Sequence, residues 1–210
     1  MVIDPNRPRV APTQQPAVDQ PATPLLLVLA VLAGLAWAAA LALIFFGEID
    51  RAHNPLATPR IIFCALALAA GLLTFIPLQL RLRLPGLALQ GVAGAFLTLY
   101  CLAFVPAPTD WLLSPPDVPV YTIFAAALFW LVSSAALPII FTIGQRVFRQ
   151  RARQYDMRRA RRQSHAAGVA VVLCILLAGL RILTPLAVLL IFLIVVVSEF
   201  LFLAFVKAES

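Results

Sequence analysis

The chain has 210 residues, of which 62% are hydrophobic and only 12% charged, with mean hydropathy +0.97. A soluble domain carries about 45–50% apolar and about 25% charged residues, so this composition excludes an ordinary soluble fold and points to the membrane class. The net charge of +7 does not argue for nucleic acid, because Gln145–Ser164 holds eight Arg and one Asp and the remainder of the chain sums to zero.

Residues 1–23 place Pro5, Pro8, Pro12, Pro16 and Pro21 among polar residues. Proline at this density denies a helix its N–H donors, and the segment lacks the apolar content of a core, so it reads as a disordered tail. Six apolar segments follow, at approximately 24–46, 61–80, 85–105, 120–143, 165–183 and 185–206. Each is near the ~20 residues that cross ~30 Å of hydrocarbon as a helix. Helices are required because lipid offers no partner to free backbone groups. The first segment contains small-residue triplets that resemble a signal-peptidase site. Its apolar run exceeds the ~7–15 residues of a signal core and a long tail precedes it, so it reads as a retained span.

The final apolar run, His165–Val206, has 42 residues. One continuous helix of that length measures about 60 Å, twice the bilayer, so it must fold back. The break lies in "GLRILTP", where Gly179 weakens the first helix, Arg181 marks an interface, and Thr184-Pro185 offers an N-cap followed by proline at the first helical position.

Lys and Arg set the orientation. The eight-Arg loop 145–164 is expected in the cytoplasm. Alternation then brings Arg7, Arg9, Arg81, Arg83 and Lys207 to the same side, leaving thirteen basic residues inside and three outside, Arg51, Arg60 and Arg181. The expected fold is therefore an all-α integral membrane bundle of six spans, N-in and C-in, with a short C-terminal tail at 207–210. Fifteen of the sixteen basic residues are Arg, and Ala, Leu and Pro are abundant. That usage suggests a GC-rich bacterial genome and hence a bacterial inner membrane.

Small residues recur at every fourth position: Ala30, Gly34, Ala38 and Ala42 in the first span, and Ala166, Ala170, Cys174 and Ala178 in the fifth. Ala67 with Gly71, and Gly91 with Ala95, repeat the pattern briefly. Such stripes let helix backbones approach closely. No internal repeat relates the two halves of the chain, so an inverted-repeat transporter draws no support. Cys64, Cys101 and Cys174 lie in apolar runs without CxxC spacing and read as small hydrophobes; a Cys64–Cys101 disulfide toward the outer side is open but unsupported.

Chemistry is limited mostly by absence. Two histidines, His53 and His165, lie in a loop and at a span boundary, so bis-histidine haem has no facing ligands. There is no HExxH, no intramembrane aspartate pair, no P-loop and no GxSxG elbow. Neither a metal nor a cofactor is expected, and an enzyme is disfavoured. Of nine acidic residues only Glu199 stands within a span, inside "LLIFLIVVVSEFLFLAFV". A charge at a helix centre costs ~2.5–3.5 kcal/mol on insertion scales, so such a residue faces other helices, pairs or takes up a proton. Depth counting nominates Thr74, Gln90, Ser133 and Ser134 as polar company, with Arg81, Arg83 or Arg146 reaching down from the inner border.

The arginines of the basic loop, Arg146, Arg149, Arg151, Arg153, Arg158, Arg159, Arg161 and Arg162, read as a topology determinant resting on anionic phospholipid headgroups. The alternative is a docking surface for an acidic partner. No recognised module supports RNA binding. Three functions follow in order: a non-enzymatic anchor or scaffold subunit of a larger membrane complex, or a homo-oligomer; a small transporter or channel lined by Glu199, Gln90 and Thr74; and a membrane enzyme acting on lipid.

Overall fold

A computed structural model describes residues 23–47, 57–106, 112, 114–147 and 156–208. Six helices account for nearly all of them: α1 (Thr23–Phe46), α2 (Thr58–Leu82), α3 (Leu87–Phe104), α4 (Val118–Val147), α5 (Met157–Gly179) and α6 (Pro185–Ala208). Five of these, α1 to α5, are long and apolar enough to cross a membrane. In α6 the described apolar stretch is Pro185–Glu199, although the helix itself has 24 residues. Residues 1–22 of the expected tail 1–23 and the basic segment 148–155 lie outside the described residues, while Thr23 opens α1.

Helix direction alternates along the chain. Arg161, in the first turns of α5, donates to the Pro85 carbonyl in the α2–α3 turn at 3.0 Å, and Arg162 pairs with Glu199 on α6. These contacts gather the starts of α3 and α5 and the ends of α2, α4 and α6 at one end, the arginine-rich end. At the opposite end the Leu112 N–H bonds to the Gly179 carbonyl at 3.0 Å, and the Arg60 guanidinium stands 4.2 Å from the centre of the Phe104 ring.

The packing is sequential. Each helix rests chiefly on its chain neighbours, and α1 meets α3 only marginally. The expected bundle is thus closer to a folded row of hairpins than to helices around one shared axis. Its interior comprises two clusters. One joins α2, α3, α4 and α5 through Phe75, Leu87, Ala95, Leu137, Phe141 and Ala160; the other joins α1, α2 and α3 through Ala40, Phe63, Ala67 and Leu99. The row ends in α6, where Ile191 alone is buried among the described side chains.

Glycines set the seam distances. A Cβ on Gly94 of α3 would lie 2.5 Å from the Leu131 backbone nitrogen of α4, and one on Gly71 would lie 3.2 Å from Val92 Cα. Gly91 leaves room for the Phe75 ring, and Gly168 of α5 is covered by Ser133 and Phe129 of α4. The pairs Ala67–Gly71 and Gly91–Ala95 are buried, as their spacing suggested. The α1 stripe is not: Ala30, Gly34, Ala38 and Ala42 all face outward, and α1 instead buries Ala33, Ala36 and Ala40 against its neighbour. In α5 the fully buried seam is Ala160, Ser164 and Gly168, one face over from the half-exposed Ala166, Ala170 and Cys174 and the exposed Ala178. A small residue permits close approach but does not choose which face is used; the larger residues beside it decide. The three cysteines are free.

The tight α2–α3 turn is built locally. Arg83 adopts a left-handed conformation at φ 53°, and Gly86 does so at φ 84°. Gln79 Oε1 accepts the Ala88 N–H at 2.7 Å, serving one of the unpaired donors in the first turn of α3. Gln79→Ala is expected to lower stability by ~1 kcal/mol, comparable to the loss of a helix cap. A denaturation titration in detergent measures it, and an unchanged midpoint would assign no stability to that bond.

Two boundaries differ from expectation in a way that matters. Helix α4 runs to Val147, and α5 begins at Met157 rather than His165. Asp156 caps α5 by accepting the Arg159 N–H at 3.1 Å. Arginine is a good helix former, so a basic sequence extends the helix where hydropathy sees only a loop. Similarly α6 continues to Ala208, into the expected C-terminal tail.

Candidate polar site and groove

The early start of α5 places Arg162 and Gln163 beside Glu199. Arg162 Nη2 donates to Glu199 Oε1 at 2.6 Å and Nε to Oε2 at 3.2 Å, a two-point contact; Gln163 Nε2 adds a bond to Oε1 at 3.0 Å. From Arg162 to Gly179 is about 25 Å along α5. If the α5–α6 turn marks one border of the ~30 Å hydrocarbon core, the pair lies just within the other border. There a carboxylate needs a charge-assisted partner with matched geometry, and the planar guanidinium supplies it. Residual side-chain exposure is 33% for Arg162 and 20% for Glu199.

The other polar residues singled out do not join this pair. Thr74 Oγ1 donates to the Ala70 carbonyl at 2.7 Å and accepts from Trp37 Nε1 at 3.1 Å, tying α2 to α1. Gln90 is half-buried on α3 and forms no hydrogen bond with Glu199 or Thr74. Ser134 donates to its own helix at the Trp130 carbonyl, 2.7 Å away. Ser133 is buried at the α4–α5 seam, its hydroxyl without a hydrogen-bond partner among the described residues. Depth counting matched these residues by level but could not say which helices stand side by side. Gln163 was not singled out; its signal was the contiguous helical register Asp156–Gln163 leading into the apolar span.

Of the eight arginines of the basic segment, Arg149, Arg151 and Arg153 lie outside the described residues. Arg146 and Arg158 are exposed, Arg159 is half-buried, and Arg161 and Arg162 make the bonds given above. Arg81 and Arg83 are exposed at the same end and engage in no ion pair among the described residues.

Between α2 and α4 at the arginine-rich end lies an open cleft of about 1190 Å³. Arg81, Arg83 and Gln145 stand at its mouth, Thr74 and Thr142 on its walls, and Phe75, Leu78 and Ile139 among its apolar lining. A second groove of about 410 Å³ runs between α1 and α2 and shares Thr74, Leu78 and Arg81 with the first. Each has a proline on its wall, Pro138 in the cleft and Pro77 in the groove. No group of three or more His, Cys, Asp or Glu able to hold a metal occurs among the described residues. No protein-family model, no curated protein and no solved structure matches this chain.

Proposed function

We propose that the chain is a multi-pass membrane protein that serves without enzymatic chemistry, as an anchor or scaffold subunit of a larger membrane assembly. The observation that carries the reading is the dispersal of polar groups. Glu199 is neutralised by Arg162 and Gln163, Thr74 is bound to Trp37, and Ser134 is bound to its own helix. A conducting or transporting path draws such groups together along one water-accessible line, whereas here Glu199, Thr74 and Ser134 are each bonded within a helix or between adjacent helices. In the proposed orientation all six helices span and the arginine-rich end faces the cytoplasm, with both termini there, following the positive-inside rule. The compositional bias toward Arg supports a bacterial inner membrane as the location in this reading.

The test is purification of the tagged full chain from its own membrane in mild detergent, with mass spectrometry of what accompanies it. A stoichiometric membrane partner that remains through size exclusion is expected. A lone chain that, in proteoliposomes, carries an ion flux abolished by Glu199→Gln would overturn the scaffold reading in favour of transport.

A further inference from the structure

The cleft and the groove meet at Arg81, and their combined shape has a use that the ion pair and the helix seams do not account for. We propose that together they form a binding site for a single anionic phospholipid of the leaflet at the arginine-rich end. Its phosphate sits at Arg81 and Arg83, and its acyl chains lie along α1, α2 and α4.

Three observations carry the assignment. The first is charge. Arg81 and Arg83 stand at the mouth, and no carboxylate lines either cavity. Neither arginine is used in an ion pair among the described residues. Arg83 takes a left-handed conformation in the turn and Arg81 lies in the last turn of α2, so the two cations come from positions two residues apart at one helix end. The second is length. The α1–α2 groove extends from Leu26 to Trp37, about 16 Å along α1. That is close to half of the ~30 Å hydrocarbon core, which is the depth of one leaflet's acyl chains. The third is lining. Below the arginines both walls are almost wholly apolar, and the exceptions already have their hydroxyls bound, Thr74 to Ala70 and Trp37 and Thr142 to the Pro138 carbonyl. Water gains little there, while hydrocarbon leaves no polar group unpaired. The two cavities, parted by Leu78 and Thr74, give separate slots for two chains beneath one headgroup. A soluble phosphate compound matches the arginines but has nothing to place in two apolar slots.

The proposal rests on membrane insertion but on neither the scaffold nor the transport role. It is tested on the purified full chain reconstituted in phosphatidylcholine vesicles with and without phosphatidylglycerol. Retained lipid is counted by native mass spectrometry after detergent extraction. The expected result is one tightly held phosphatidylglycerol per chain. Arg81→Gln/Arg83→Gln is expected to weaken the preference for phosphatidylglycerol over phosphatidylcholine about 30-fold, taking ~1 kcal/mol per basic residue near an anionic surface. A second variant leaves the charges alone. Gly34 lines the groove, and a Cβ built on it meets nothing within 4 Å, so the side chain of Gly34→Phe starts from open space beside the slot it is meant to fill. It is expected to reduce lipid retention while the protein remains folded and membrane-inserted by carbonate extraction. Unchanged phosphatidylglycerol retention in both variants would overturn the site, as would equal retention of the two lipids by the unaltered chain. A chain that fails carbonate extraction would instead remove the membrane reading itself.

Discussion

Arg162→Ala is expected to destabilise the protein by about 2–3 kcal/mol, and Glu199→Gln by only about 1 kcal/mol. The asymmetry follows from what each change leaves behind. Removing the guanidinium leaves a carboxylate among apolar residues of α6 with Gln163 as its one remaining side-chain donor. Breaking a fully buried pair this way costs ~3–5 kcal/mol; the residual exposure of both side chains lowers the figure. Glu199→Gln keeps an oxygen that accepts from Arg162, and the long arginine side chain can turn its charge toward the arginine-rich end. Unfolding titrations of Arg162→Ala, Glu199→Ala and the Arg162→Ala/Glu199→Ala double variant measure the coupling. A coupling energy of about 1–2 kcal/mol is expected for a two-point charged contact of this exposure. Strictly additive losses would show that the contact contributes nothing to holding α6 against α5.

Gly94→Ala is expected to be among the most damaging single-methyl additions in the chain. The new Cβ would meet Leu131 N at 2.5 Å and Trp130 C at 2.8 Å, and both are backbone atoms of α4. Backbone inside a helix cannot rotate away, so α3 and α4 must separate along a shared seam. Overpacking costs typically ~1–3 kcal/mol, and a rigid neighbour places this case at or above the upper end. Gly168→Ala is expected to cost less, because the atoms it meets belong to the side chains of Ser133 and Phe129. Gly34→Ala meets nothing and should stay within ~0.5 kcal/mol of the parent or gain slightly from better helix propensity. The order Gly94, Gly168, Gly34 in detergent unfolding midpoints checks the seams directly. A Gly94→Ala variant as stable as Gly34→Ala would place α3 and α4 farther apart than described.

Much of the architecture was legible without coordinates because the bilayer imposes it. Runs of about 20 apolar residues must be helical, and a 42-residue run must turn back. The break at Gly179 and Thr184-Pro185 is where α5 ends and α6 begins. The start of α5 was misplaced because hydropathy ends a span at the first charge. The chain instead continues the same helix through Arg158–Arg162 under an Asp156 cap. That error hid the partner of Glu199. In sequence Arg162 reads as part of a loop resting on lipid headgroups, whereas it stands in the second turn of α5, bonded to the carboxylate.

The sequence by itself determined that the chain is helical with runs apolar enough to cross a membrane, that the last long run breaks between α5 and α6, and that Glu199 needs shielding. These follow from one-dimensional quantities: run length, charge position and the cost of an unpaired group in hydrocarbon. Only the tertiary structure decided which faces meet. It turned the Ala30–Ala42 stripe outward and buried Ala160, Ser164 and Gly168 instead. It laid the helices in neighbour-to-neighbour order, so that Thr74, Gln90 and Glu199 fall on different seams and Arg81 comes to stand above two apolar slots. The physical reason is that lipid is as apolar as the side chains it touches. Hydrophobicity therefore cannot select a helix's inward face, and shape complementarity at a few glycines and the Arg162–Glu199 pair selects it instead.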